Sequence, residues 1–268
     1  MNRGFPPLTR RASGASIGLN TMAFQFRYLL AALALAVVSA AFAQEPADFA
    51  KMRGILADAI EKGVNRMRER TGGQAIDPRV IAAVRKVPRH EFAPPELRPY
   101  AYLDRPLPVG PDATISQPSL VAVMTDLLGI KNGEKVLEVG IGGGYHTAIL
   151  AEMTQEVFSV EYHKEAAQTA RRTLERLGYS NIRVNVADGY HGWRPDAPYD
   201  AILVRMAIPE IASSLVAQLK PGGRLIAPVG PADSVQVLTL LQKDSDGRVT
   251  ETAIMPVFFR ALPGGLRL

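Results

Sequence analysis

The chain has 268 residues and no cysteine, which excludes disulfides, thiolate metal sites and a thiol nucleophile. Its four histidines, His90, His146, His163 and His191, show neither an i, i+4 pair nor an H-E-x-x-H run, so no metal centre is expected. Of the net charge of +5, +4 belongs to the first 43 residues, which hold Arg3, Arg10, Arg11 and Arg27 and no acid; the remainder carries 27 basic against 26 acidic side chains, and a nucleic-acid partner is not expected.

Residues 1–43 have the order of an export signal peptide: a basic lead ending at Arg27, an apolar run from Tyr28 to Val38, and Ala41-Phe42-Ala43 before Gln44. The run is too short to span a bilayer, so no stable membrane span is expected. The mature protein is expected to be exported, to the periplasm, or cytoplasmic if this segment is not a working signal. Met22 would serve as an alternative start, and Arg10-Arg11 lacks the following apolar residues of a twin-arginine signal.

Residues 44–112 read as a helical and proline-rich appendage. From Asp48 to Arg70 apolar residues recur at helical spacing (Phe49, Met52, Ile55, Leu56, Ile60, Val64, Met67), and Thr71-Gly72-Gly73 ends the helix. Asp77 and Pro78 are an N-cap and first helical residue for a second helix through Val84. Between Val87 and Pro111, Pro88, Pro94, Pro95, Pro99, Pro106, Pro108 and Pro111 predict a stiff irregular segment laid over the main domain.

Residues 113–268 read as the core. Apolar runs at Val136–Val139, Val157–Val160, Ile182–Val186, Ala201–Val204, Leu225–Val229, Val235–Leu241 and Ala253–Phe259 predict strands; the early ones are continuous enough for burial on both faces. Helices are expected at Tyr145–Met153, His163–Leu177 and Pro209–Leu219. This alternation predicts an α/β fold with a doubly wound, mostly parallel seven-stranded sheet. The short link Asp244-Ser245-Asp246-Gly247 makes the last two strands an antiparallel hairpin. A parallel sheet finished by a hairpin is the shape of the Rossmann-like methyltransferase core. Nothing in the sequence sets an oligomeric state, and a monomer is the default.

The first strand runs into Gly140, Gly142 and Gly144 and then a helix start, the arrangement that lets backbone N–H groups approach a nucleotide-like ligand. Glu138 lies two positions before the first glycine. A carboxylate there suits a ligand with a cationic end and would repel a pyrophosphate, which favours S-adenosylmethionine over a dinucleotide. Glu161 closes the next strand, where a carboxylate can accept from both ribose hydroxyls.

Four stretches resemble the protein-L-isoaspartate O-methyltransferase family over about Asp77 to Leu262: Val87-Pro88-Arg89 with Phe92; Thr114-Ile115-Ser116-Gln117-Pro118; the glycine loop; and Asp200–Val204 followed by Pro209-Glu210. The resemblance implies S-adenosylmethionine as cofactor and isoaspartyl carboxylates in damaged proteins as acceptor. It makes Ser116 the catalytic position, with Gln117 beside it on the substrate side, and sets Asp188 and Gly189 at the adenine. Ser116 also suits an N-cap for a helix over Ser119–Leu128, and Asp188-Gly189 an ordinary turn. His146, where the family often has glutamine, reads as a helix-start residue, and Trp193 as a packing anchor.

Two features depart from the family. Arg205 and Met206 stand where small residues are usual, and Arg205 either clamps an acidic substrate or lies solvated on the surface. An exported enzyme would need its cofactor delivered. Two alternatives therefore stay open: a methyltransferase with another acceptor, such as a small carboxylate or envelope component, and a degenerate S-adenosylmethionine-binding protein of the envelope.

Overall fold

The computed structural model describes residues 47–110, 114–232 and 234–264, together with Met1; the segment read as an export signal lies outside them. Helix α1 (Ala47–Thr71) buries Leu56, Ala57, Ile60 and Val64, the stripe its periodicity predicts, and Gly72 ends it with φ of 74°. Helix α2 (Pro78–Lys86) starts as expected: Asp77 Oδ1 accepts from the backbone N–H of Arg79 at 2.8 Å. The proline-rich segment forms two 3₁₀ turns, Arg89–Phe92 and Pro95–Tyr100. It then enters strand β1 (Leu107–Pro108), which pairs antiparallel with β2 (Thr114–Ile115).

Helix α3 (Pro118–Leu128) leads into β3 (Lys135–Val139), α4 (Tyr145–Met153), β4 (Glu156–Glu161), α5 (Lys164–Arg176), β5 (Ile182–Val186) and β6 (Tyr199–Val204). A single-turn helix α6 (Ser213–Val216) precedes β7 (Leu219–Val229), β8 (Gln236–Lys243) and β9 (Val249–Val257). Seven strands form one sheet in the order β5-β4-β3-β6-β7-β8-β9. Its members are parallel from β5 through β7 and antiparallel at β7–β8 and β8–β9. Between the neighbours β3 and β6 the winding reverses, and it is there, beyond the carboxyl ends, that such sheets bind ligands.

Side-chain alternation along the strands divides the core between the two faces of the sheet. Val136, Val157, Ala201 and Leu203 pack on one face with α1 to α4, whereas Leu137, Val139, Phe158, Ile202 and Val204 pack on the other. Each Val, Leu, Ile or Phe among them contributes about 1.5–3 kcal/mol through burial. The two-faced burial expected of the early strands holds for β3 and β4 but fails for β5, whose Arg183, Asn185 and Val186 are exposed because it is the sheet edge.

Three element limits differ from expectation. The helix expected over Pro209–Leu219 shrinks to α6. Ile208 bridges to Val229, and its carbonyl accepts from Gly230 N–H at 2.9 Å, so the chain leaves β6 still tied to the sheet. Strand β7 begins early, at Leu219, because Tyr199 pairs with Leu219 before a register shift carries Ala201 to Arg224 across Lys220-Pro221-Gly222-Gly223. Strand β9 starts at Val249, opposite Lys243, and stops before Phe258, which is 70% exposed.

Candidate active site

A cleft of about 970 Å³ opens at the carboxyl ends of β3, β4 and β6. Its floor is the glycine loop. Gly140 N–H donates to Val160 O at 2.7 Å, extending the β3–β4 ladder past the strand end, and the chain then turns with φ of 90° at Gly140 and 51° at Gly142. A Cβ at Gly142 would lie 3.2 Å from Arg205 Nη1 and 3.4 Å from the carbonyl of Thr114, so a side chain there would fill the space between loop and facing turn. Gly144 plays a different part: a Cβ there would press on Ala170 of α5 at 3.2 Å, so it serves helix packing and does not line the cleft.

Glu161 lines the cleft at 7% exposure. Its two oxygens accept from the backbone N–H groups of Gly142 (3.2 Å) and His163 (3.0 Å), which fixes the carboxylate while leaving further lone pairs for a ligand. Glu138 is fully buried behind the loop instead. Its Oε2 accepts from Thr147 Oγ1 at 2.6 Å and Ser159 Oγ at 2.7 Å, and its Oε1, without a hydrogen bond, lies 3.7 Å from Arg205 Nη1. Burial pushes this carboxyl up from its ordinary range, against the downward pull of Arg205, Thr147 and Ser159. The cation nearest Glu138 is thus one of the chain's own.

Arg205, at the end of β6, is 6% exposed, which rules out the solvated alternative. Its Nη1 donates to Gly140 O (2.8 Å) and Ile141 O (2.6 Å), and its Nη2 to Ser116 Oγ at 3.4 Å. Ser116 does not cap α3. That duty falls to Asp104, whose Oδ1 accepts from Ser119 N–H at 2.9 Å and whose Oδ2 accepts from Gln117 Nε2 at 3.2 Å. Ser116 and Gln117 both line the cleft, as does Met206, whose side chain packs against Gly140.

Gly189 lines the cleft, with its Cα packed so tightly that a Cβ would sit 2.5 Å from Val139. Asp188 accepts from Tyr190 N–H at 2.9 Å, the turn that an Asp-Gly pair favours, and its carboxylate lies against Gly264. His146 is buried as the second residue of α4 with Nε2 2.9 Å from Thr125 Oγ1. Burial and then Arg205 hold its pKa well below the ordinary 6.5, so it stays neutral and serves no proton transfer. Trp193 packs edge-on against Phe158 at 5.3 Å.

Sequence reasoning missed three contributors. Asp104 carried no signal, because its partners are 13 and 15 residues away. Arg89 was noted only as part of a motif, yet it is fully buried. Its Nε donates to Ala101 O at 2.9 Å, its Nη2 to Arg105 O at 3.2 Å, and its guanidinium lies 4.7 Å from the centre of the Tyr145 ring. Burial pulls its pKa down to about 10. The third is the stretch after β9, where Phe258 to Pro263 form a cleft wall of which only Phe258 and Phe259 read in the sequence, as the end of a strand.

Residues 64–266 match the family model described as protein-L-isoaspartate(D-aspartate) O-methyltransferase. The protein-L-isoaspartate O-methyltransferase 2 of Syntrophobacter fumaroxidans is 49% identical over 246 residues, 92% of this chain and 98% of that relative. A solved protein-L-isoaspartate O-methyltransferase structure is 29% identical with a TM-score of 0.69, over 79% of this chain and 66% of that one. A Plasmodium falciparum structure in complex with S-adenosyl-L-homocysteine shares the fold at 24% identity and TM-score 0.61, over 75% of this chain and 97% of that one. The family match takes in the glycine loop, the Ser116 turn, Glu138 and Glu161, and on that extent the chain belongs to the protein-L-isoaspartate(D-aspartate) O-methyltransferase family.

Proposed function

We propose that this protein transfers a methyl group from S-adenosylmethionine to the carboxylate of L-isoaspartyl residues in damaged proteins. The observation that carries the reading is the convergence of the Ser116 hydroxyl with the Gly140–Gly142 loop across one cleft that also holds Glu161. The cleft fits the cofactor: Gly142 leaves open the space a Cβ would fill, Glu161 is fixed with acceptor capacity to spare for ribose hydroxyls, and Gly189 offers backbone beside Val139 for an adenine. S-adenosylmethionine supplies an electrophilic methyl on a sulfonium.

The chain's own work is positioning. An acceptor carboxylate, with a pKa of roughly 4, is already an anion at neutral pH, so no general base is needed. Ser116 Oγ accepts from Arg205, which leaves its own proton to donate to an acceptor oxygen. Holding that oxygen in line with the methyl is worth on the order of 7–11 kcal/mol. The test is a labelled-methyl assay on an isoaspartyl peptide and its normal aspartyl twin. Base-labile label on the first alone is expected, whereas label on neither, with the cofactor bound, would leave the degenerate binding protein.

Export is part of the same reading. Its support is the order of basic, apolar and small residues in 1–43. Mass spectrometry of protein from its native source is expected to find a mature chain beginning after Ala43, and a full-length cytoplasmic species would refute it.

A further inference from the structure

We propose that Arg205 is the residue that selects a charged acceptor: its Nη2 and the Ser116 hydroxyl form a two-donor seat for one carboxylate. This rests on the methyltransferase reading above. One edge of the guanidinium is committed, since Nη1 is spent on the carbonyls of Gly140 and Ile141 and faces Glu138. The other edge is not. Nη2 carries two protons, and the hydrogen bond it makes is a long one to Ser116 Oγ at 3.4 Å. Both terminal nitrogens stand 3.2 and 3.3 Å from where a Cβ on Gly142 would be, so the missing side chain leaves the guanidinium open to the cleft that Arg205 lines, and Nη2 is the nitrogen with a proton to spare.

Glu138 explains why the cation can be kept there. A buried guanidinium without a counter-charge is costly, and Glu138, anchored by Thr147 and Ser159, supplies one from behind the loop without entering the cleft. The rear of Arg205 is neutralised and its front remains a donor.

Charge bookkeeping through the reaction then assigns Arg205 its step. The acceptor oxygen gains the methyl, the electron pair of the broken S–C bond stays on sulfur, and no proton moves. The carboxylate therefore loses its negative charge on becoming an ester. A guanidinium bonded to it is strongest before transfer, so Arg205 governs acceptor affinity and lets the neutral ester go. A hydroxyl such as Ser116 loses far less, because an ester oxygen still accepts.

The test is calorimetry on full-length protein loaded with S-adenosylhomocysteine, comparing an isoaspartyl peptide with the same peptide carrying a carboxamide in place of the acceptor carboxylate. Wild type is expected to prefer the carboxylate by about 10- to 100-fold, the range for a charge-assisted hydrogen bond. Arg205→Met is expected to cut that preference at least fivefold; a smaller change overturns the proposal. The ratio is internal to each variant, so damage to the glycine loop, which alters both affinities, cancels. Should the methionine variant fail to fold, Arg205→Gln removes the charge while keeping a donor for the loop carbonyls and is read the same way. KM should rise and kcat should not fall. Wild type that binds neither peptide would sink the isoaspartyl reading itself, whereas wild type that binds both equally would sink only the role of Arg205.

Discussion

Two donors on one carboxylate predict two kinetic signatures. On the proposed reading Ser116 holds an oxygen in line, and Ser116→Ala is expected to lower kcat on isoaspartyl peptide by about tenfold to a hundredfold, the effect of losing roughly 1–3 kcal/mol of positioning. Affinity for S-adenosylhomocysteine should stay within twofold of wild type. Steady-state kinetics beside a thermal melt decide this, and unchanged turnover would remove the hydroxyl from the reaction. Glu161 lines the same cleft. Glu161→Ala leaves the Gly142 and His163 N–H groups unpaired and, on the proposed reading, deprives the cofactor's ribose of a charged acceptor. Titration with S-adenosylhomocysteine should show binding more than tenfold weaker. An unaltered dissociation constant would place the ribose elsewhere.

At the scale of elements, the turn that carries Ser116 is held from outside its own sequence. Helix α3 begins at Pro118 after Gln117, whose side chain makes no cap, and Asp104 reaches across from the proline-rich segment to accept from Ser119 N–H. A carboxylate at a helix N-terminus both satisfies an orphan donor and complements the helix dipole. Asp104→Ala is therefore expected to destabilise the protein by about 1 kcal/mol, a fall of about 2–4 °C in Tm for a chain of this size. It should also free Gln117, which bonds the same carboxylate. Differential scanning calorimetry tests this, and a Tm equal to wild type would show that water caps α3 equally well. Arg89 reaches the same turn through Ile115 O at 3.5 Å and ties it to the proline-rich segment through Ala101 O and Arg105 O, and its cation rests on Tyr145 at the start of α4.

At the scale of the whole molecule, burial of His146 couples global stability to pH. Its folded pKa lies well below 6.5, so the unfolded chain binds the extra proton. The stability gained by keeping the ring neutral is complete above 6.5 and is lost as pH falls below that value towards the folded pKa. The slope approaches about 1.4 kcal/mol per pH unit. His146→Gln keeps a partner for Thr125 without titrating, and between pH 7.5 and 5.5 its Tm should fall less than that of wild type. Parallel declines would mean that the ring protonates in the folded state. Among the described residues no helix is long and apolar enough to cross a membrane.

Local pattern was enough for most of the fold and for the glycine loop. Period-two apolar runs, the Asp77-Pro78 cap and the glycine loop at the end of β3 are each set by residues within a few positions of one another, so they were legible before any coordinates. The sheet, its antiparallel end and the cofactor loop followed. The errors fell where a segment answers to distant partners: the helix before β7 was shortened by the bridge from Ile208 to Val229, and β5 proved exposed because it is an edge. In the site, sequence spacing named Glu138 and Glu161 alike, yet only folding put Glu161 in the cleft and Glu138 behind it. Period two turned Glu138 towards Thr147 and Ser159. Arg205 shows the same limit. The sequence left it between clamp and solvent, and only the approach of β6 to the glycine loop, 65 residues away in the chain, buried its guanidinium against Gly140 and beside Ser116.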